Sequence, residues 1–208
     1  SMALRFNRSR VLFLVLVLGL AYLLPYVYRP AEGDQAEFLT AFLATALPLN
    51  IALFSMLRER GVITFWGITR LVWIGAQAGA LAWTLLRGDP RLPRLLGEQW
   101  LDPAWLAWTP LPQPALAMTV LAVLWLGFRL AREPHPLDGA FLGALAATLW
   151  TLHLGAPETA TVAYWSAAAA MLALGVVQES YRMAYLDELT GLPGRRALKE
   201  ALLKLGAA

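Results

Sequence analysis

The chain has 208 residues, of which 59% are hydrophobic and 15% are charged. Soluble domains carry about 25% charged residues, so this composition excludes an ordinary soluble domain and indicates that most of the chain lies in lipid. The absence of cysteine excludes disulfides and thiolate metal sites. The net charge of +3 is typical of arginines that anchor membrane loops, and we expect no nucleic-acid partner.

Six apolar segments follow one another along the chain. At a rise of about 1.5 Å per residue, the first of them reaches roughly 27 Å, which is enough to cross the hydrocarbon core of a bilayer. We therefore predict an all-α integral membrane protein with six transmembrane helices, in a domain covering residues 1–178. The predicted spans are residues 11–28, 36–57, 62–86, 115–130, 139–154 and 159–178.

The positions of the basic residues predict the orientation. With the N-terminus in the cytoplasm, twelve Lys or Arg residues flank the inner ends of the segments and four lie in the outer loops. The remaining basic residue, Arg70, lies inside the third segment. Because basic residues favour the cytoplasmic side, we expect both termini to be cytoplasmic in a multi-pass protein.

The predicted outer loop, residues 87–114, is too long for a simple turn and is rich in Pro and Trp. Its residues Trp100, Trp105 and Trp108 favour a segment that lies at the headgroup level, as aromatic belts do. A lid over a ligand is the alternative, and the tryptophans alone do not decide between the two.

Polar residues within the third segment form a candidate intramembrane ligand pocket. Arg70 lies roughly 12 Å from the inner start of its segment, and a charge at that depth costs a few kcal/mol unless it is paired or hydrated. Asn50, on the second segment, falls at a similar depth, so we expect it to meet Arg70. Trp66, Trp73 and Gln77 recur on the same helical face as Arg70.

Two interpretations of this face remain open. One is a polar and aromatic pocket for an anionic or amphipathic ligand. The other is a structural arginine that reaches lipid phosphates or ties helices together. Of the two histidines, His135 and His153, neither has further ligands at suitable spacing, and we expect no metal or haem site.

The sixth segment is rich in small residues between Ser166 and Gly175. Small residues four apart, such as Ser166 and Ala170, allow helices to approach closely in lipid. This pattern is equally compatible with a dimer contact and with packing inside one bundle. We expect the helix to leave the membrane after residue 178 and to continue through residues 179–190.

A motif follows this last helix. Its form is Asp-x-Leu-Thr-x-Leu-x-Gly-Arg-Arg, and its matching positions are Asp187, Leu189, Thr190, Leu192, Arg195 and Arg196. The motif resembles the opening motif of GGDEF domains, the catalytic domains of bacterial diguanylate cyclases, which begin directly after a helix leaving the membrane or a sensor. In that family an Asn that contacts guanine usually stands where this chain has Gly194.

The resemblance implies that residues 187–208 begin a GGDEF domain and that residues 179–190 form a signalling helix. It also implies a protein of the bacterial inner membrane. No Gly-Gly-Asp-Glu-Phe sequence occurs before Ala208, so we expect the catalytic residues, with their GTP and Mg²⁺, in a longer protein. Diguanylate cyclases join two GTP molecules between two GGDEF domains, which implies a homodimer. The motif would then act as a coupling hinge.

The function we expect is therefore a membrane-embedded sensory or regulatory input module. It would control cyclic di-GMP synthesis by setting the dimer geometry of cytoplasmic GGDEF domains, in response to a small ligand, a lipid or a partner. The alternative is an intramembrane protein-interaction module that recruits a membrane protein, attached to a weakly active or non-catalytic GGDEF domain.

Overall fold

The computed structural model describes residues 9–28, 33–57, 64–155 and 158–185. These residues form six long helices, one short helix and one 3₁₀ turn, and no strand occurs among them. The helices are α1 (Ser9–Tyr28), α2 (Asp34–Met56), α3 (Phe65–Arg87), α4 (Arg91–Leu96), α5 (Gln113–Arg132), α6 (Pro136–Leu154) and α7 (Glu158–Tyr185), and the 3₁₀ turn covers Pro103–Leu106.

The all-helical architecture confirms the predicted class, and each long helix overlaps one of the six predicted segments. Five of them, α1, α2, α5, α6 and α7, are long and apolar enough to cross a membrane. Helix α3 is as long as α2, at 23 residues, but it is not among these five. Its Arg70 and Gln77 reduce its apolar character, so the sixth span stays a prediction.

Local signals fix the ends of several helices. The Thr64 side chain accepts a hydrogen bond from the Gly67 amide at 3.2 Å and caps the start of α3. Gly88 follows the last turn of α3 with φ 65°, and Gly155 follows α6 with φ 54°. Both are left-handed C-cap positions, which glycine adopts without steric cost.

Helix α2 lies at the centre of the bundle and packs against α1, α5 and α6. Helices α6 and α7 pack against each other more extensively than any other described pair. Gly175 of α7 is a point of close approach in that pair, because an added Cβ would lie 2.6 Å from the Cβ of Ala140. Small residues are what allow helices to approach this closely. Ser166 and Ala170, the predicted small pair, are instead exposed.

Helix α3 lies at the edge of the bundle. The sequence predicts α2 and α3 as close antiparallel neighbours, but the α3 backbone approaches α1 more closely than α2. Among the described residues, hydrogen bonds from Trp73 and Gln77 connect α3 with Asn50 of α2. We call the end of the bundle where α1 begins the N-terminal end; the α5–α6 turn and the last residues of α7 lie there too.

Candidate functional site

Asn50 forms the centre of a polar cluster between α2 and α3. Its Nδ2 donates to the carbonyl of Ala46 at 2.7 Å and to Oε1 of Gln77 at 2.8 Å. Its Oδ1 accepts from Nε1 of Trp73 at 3.0 Å and from Nε2 of Gln77 at 3.2 Å. Asn50 is fully buried, and all four of its hydrogen-bonding positions are therefore used.

The orientation of both amides follows from their neighbours. An indole N–H can only donate and a backbone carbonyl can only accept, so Trp73 must face the oxygen of Asn50 and Ala46 must face its nitrogen. The reciprocal pair then fixes the amide of Gln77. Among the described residues Gln77 makes only these two bonds, which leaves one of its N–H groups and one oxygen lone pair for another molecule.

A cavity lies beside this cluster, between α1, α2 and α3. Its volume is about 140 Å³. Asn50 and Gln77 are its polar residues, and the other described residues that line it are aliphatic or aromatic. Leu20 of α1, which is 47% exposed, and the exposed Ala78 of α3 stand at its edge. The cavity therefore opens sideways, toward the surface that α1 and α3 share.

Arg70 lies two helical turns from Gln77, toward the N-terminal end, and does not line this cavity. Its side chain is 2% exposed. Its Nη1 donates to Oγ of Ser9 at 2.5 Å, and its guanidinium lies 5.5 Å from the centre of the Phe13 ring. The arginine thus joins α3 to α1, and the expected contact between Arg70 and Asn50 is not made.

The structure separates the five predicted pocket residues into two groups. Asn50, Trp73 and Gln77 form one cluster, although Trp73 supports it from outside the cavity. Trp66 is half exposed and packs edge-on against Phe65 at the start of α3. Because no charged residue lines the cavity among those described, it is not suited to an anionic ligand.

A second network at the N-terminal end was not expected from the sequence. Ser55 of α2 accepts from Nε1 of Trp125 at 3.0 Å with its hydroxyl, and its carbonyl accepts from Arg10 at 3.3 Å. Arg129 of α5 pairs with Asp138 of α6, with Nε and Oδ1 3.1 Å apart. A serine in an apolar run was the available signal for the first contact, since membrane helices use hydroxyls in this way.

The last turns of α7 contact the turn between α5 and α6. Nη1 of Arg182 donates to the carbonyl of Pro134 at 3.1 Å and lies 3.3 Å from Nδ1 of His135. A groove of about 460 Å³ lies beside this contact, between the turn and α7. A hydrogen bond from Arg182 thus joins the predicted signalling helix to the sequence-distant turn between α5 and α6.

The predicted outer loop is folded against the opposite end of the bundle. The side chain of Gln113 accepts from the amides of Trp100 and Leu101 at 2.6 and 2.8 Å and donates to the Leu101 carbonyl at 2.8 Å. Nδ1 of His153 lies 2.9 Å from Oγ1 of Thr109. The three tryptophans of this loop are largely exposed, so the choice between an anchor and a lid stays open.

Asp89 begins the loop. Its Oδ1 accepts from the Arg91 amide at 3.0 Å, and this hydrogen bond lowers the pKa of Asp89 below its ordinary value.

No group of three or more potential metal ligands occurs among the described residues. The coupling-hinge residues Asp187 to Arg196, including Gly194, lie outside the described residues.

Comparison of the chain with protein-family models, with curated proteins and with solved structures finds no match. The candidate function therefore depends on the motif after α7 and on the geometry of the bundle.

Proposed function

We propose that this chain is the membrane-embedded input module of a diguanylate cyclase. In this proposal α3 is the sixth span, both termini are cytoplasmic in a bacterial inner membrane, and residues 187–208 begin a GGDEF domain. The module controls cyclic di-GMP synthesis from two GTP molecules by setting the geometry of two such domains. In this proposal GTP and Mg²⁺ bind in the GGDEF domain.

The length of α7 carries this proposal. Its 28 residues extend over roughly 42 Å, whereas the hydrocarbon core is about 30 Å thick. The helix is continuous to Tyr185, two residues before the GGDEF-like motif. A continuous helix that packs inside the bundle and projects beyond it transmits a rotation or a shift directly to whatever follows.

The exposed face of the C-terminal half of α7 also offers a surface for a second copy. Leu174, Val177 and Tyr181 are exposed and recur at spacings of three and four residues, which aligns them on one face. Val176, by contrast, is buried in the bundle. A symmetric pair of α7 helices joined along this face supports the dimer that cyclic di-GMP synthesis requires.

Activity is tested with the protein extended through its catalytic domain, in lipid vesicles with GTP and Mg²⁺. We expect cyclic di-GMP as the product, and we expect Gly194→Asn to increase its rate of formation by supplying the family's guanine contact. Absence of a Gly-Gly-Asp-Glu-Phe sequence and of nucleotide turnover in that longer protein would overturn the proposal.

Helix phase provides the sharpest test of coupling through α7. One to four alanines inserted between Gln178 and Glu179 rotate the following domain by about 100° each. Seven alanines return the phase to within about 20° and are the matched control. We expect the cyclase rate to vary periodically with the number of alanines inserted, and a rate that does not depend on this number would exclude coupling by rotation.

Arg70→Ala should also change the cyclase rate while the protein still inserts into the membrane.

The dimer is tested by disulfide formation, because the native chain has no cysteine. We expect Val177→Cys, at a position that is 50% exposed, to form an intermolecular disulfide in native membranes. Val176→Cys, at a neighbouring position that is 5% exposed, is the control and should not. Single cysteines at Glu133 and Gln99 should be labelled from opposite sides of the membrane.

A membrane-protein interaction module remains the second candidate, and the exposed face of α3 favours it. Gly75 and Gly79 lie four residues apart there, with open space around each position. Affinity purification in mild detergent with Gly79→Ile as the comparison variant distinguishes the two functions. If Gly79→Ile no longer binds one specific partner while its response to ligand is unchanged, the result favours the recruitment function.

A further inference from the structure

The cavity beside Gln77 has the features of a binding site for a neutral molecule. Its walls are apolar, its polar groups converge at one point, and both features are typical of small-molecule sites. The unused N–H and lone pair of Gln77 lie close to the middle of α3, roughly 18 Å from its first residue. Within a bilayer this position is remote from water.

An amide group with an unused donor and an unused acceptor is costly in hydrocarbon, because no water replaces the missing bonds. A hydroxyl group satisfies whichever of the two faces it, since it can donate to Oε1 or accept from Nε2. A carbonyl satisfies only the N–H, and a charged group has no opposite charge among the described lining residues. The chemistry of the site therefore favours a hydroxyl.

The volume limits the size of the group that enters. The cavity measures about 140 Å³, and an apolar protein cavity of about 150 Å³ holds one benzene molecule. Entry is through the side of the bundle, past Leu20 and Ala78, so that the ligand reaches the site from the lipid phase.

We propose that this cavity binds an uncharged, membrane-soluble molecule that presents a hydroxyl on a head about the size of a benzene ring. The ligand connects α1 and α3 to α2 at the edge of the bundle. Its role as the stimulus rests on the signalling function proposed above, whereas its binding does not.

Binding is tested with two probes of equal size in lipid nanodiscs, 4-fluorophenol and 4-fluorotoluene, followed by ¹⁹F NMR. After correction for partition into empty nanodiscs, we expect the phenol to bind about tenfold more tightly, because its hydroxyl forms a hydrogen bond with Gln77 in a dry site and the methyl group of the toluene does not. Gln77→Leu should remove this difference and leave toluene binding unchanged. Equal binding of the two probes to the native protein would overturn the proposal.

A matched pair of variants locates the binding. Ala78→Phe places a ring at the mouth of the cavity and should abolish binding of both probes. Ala76→Phe places the same ring on an exposed position of α3 that does not line the cavity, and should bind as the native protein does. Equal binding by the two variants would also overturn the proposal, and both variants are expected to fold because both positions are exposed.

The source of the natural ligand is identified by mass spectrometry of lipid extracts from native membranes. A lipid alcohol that co-purifies with the native protein and Ala76→Phe, but not with Ala78→Phe, supports a membrane lipid as the source. If no such lipid is retained, immediate phenol binding in native membranes supports a small diffusing alcohol. None of these measurements uses nucleotide, so their failure is distinguishable from failure of the cyclase proposal.

Discussion

Glycine has opposite surroundings in the α6–α7 pair and in helix α3. At Gly175 an added Cβ would lie 2.6 Å from Ala140, and at Gly143 it would lie 2.5 Å from the sulfur of Met171. At Gly75 and Gly79 of α3 there is nothing within 4 Å. Small residues therefore mark a close helix contact in the first region and an open surface in the second.

The two regions also differ in what holds them. The α6–α7 pair is packed along its length, and Asp138 connects it to α5. Helix α3 has few backbone neighbours and is held chiefly by the side chains of Arg70, Trp73 and Gln77. We infer that α5, α6 and α7 form a rigid frame and that α3 is the element whose position a ligand can shift.

The largest effect is expected where the rigid frame loses its ion pair. Asp138 is 1% exposed, so Arg129→Ala leaves a buried carboxylate without its described partner and should cost about 3–5 kcal/mol. Asp138→Ala should cost less, because the Arg129 side chain is 26% exposed and can reach a polar environment. Thermal unfolding in detergent measures both, and equal losses would contradict this asymmetry.

The next largest effect is expected from alanine substitution at one glycine in each of the two regions. Gly175→Ala should destabilise the protein by about 1–3 kcal/mol, because the rigid Ala140 Cβ cannot move without shifting a backbone. Gly75→Ala is the matched control and should be neutral or stabilising by up to about 1 kcal/mol. Chemical denaturation of both variants checks the prediction, which fails if Gly75→Ala is the more harmful change.

A smaller and local effect is expected in α3. Asn50→Leu leaves Trp73 and Gln77 without their described partner and should cost about 1–2 kcal/mol. Hydrogen exchange should then increase in α3 and remain unchanged in α6. Thr148→Val is the control, because its hydroxyl bonds only to carbonyls of its own helix. Uniform exchange throughout the bundle would show that α3 is not a separate unit.

The smallest effect is expected at the opposite end of the bundle. The lowered pKa of Asp89 means that its bond to the Arg91 amide stabilises the fold above the ordinary carboxyl pKa. This contribution is lost as the pH falls through the lowered value. The NMR shift of the Arg91 amide should follow that titration, and Asp89→Asn should abolish it with a negligible change in melting temperature.

The positions of the long helices could be predicted closely from sequence, because a backbone in lipid must satisfy its hydrogen bonds within a helix. The hydrogen-bond partner of Asn50 could not be predicted from sequence. Its depth in α2 suggested Arg70, but the true partner, Gln77, lies two turns further along α3. Sequence gives the depth of a residue within its own helix, whereas the stagger between two helices depends on packing of their whole surfaces.

The neighbours of α3 were unpredictable for a related reason. Consecutive helices are usually adjacent, yet α3 lies closer to α1 and is held there by Arg70. Ser9 and Ser55, the hydroxyls that join helices at the N-terminal end, are found with their partners only in the structure, because a serine in or beside an apolar run does not say which helix it contacts. Only the candidate residues Asn50, Trp73 and Gln77 were both foreseen and found together.

The amide pair between α2 and α3 also affects how the protein is made. The cost of inserting an arginine reaches about 2.5–3.5 kcal/mol at the centre of a membrane helix, and α3, the proposed sixth span, carries Arg70 in its second turn within a marginally apolar segment. Helix α2 leaves the ribosome just before it and offers Asn50 to Gln77. We expect the translocon to release the two helices together, so that loss of Asn50 appears first as faulty integration of residues 65–87.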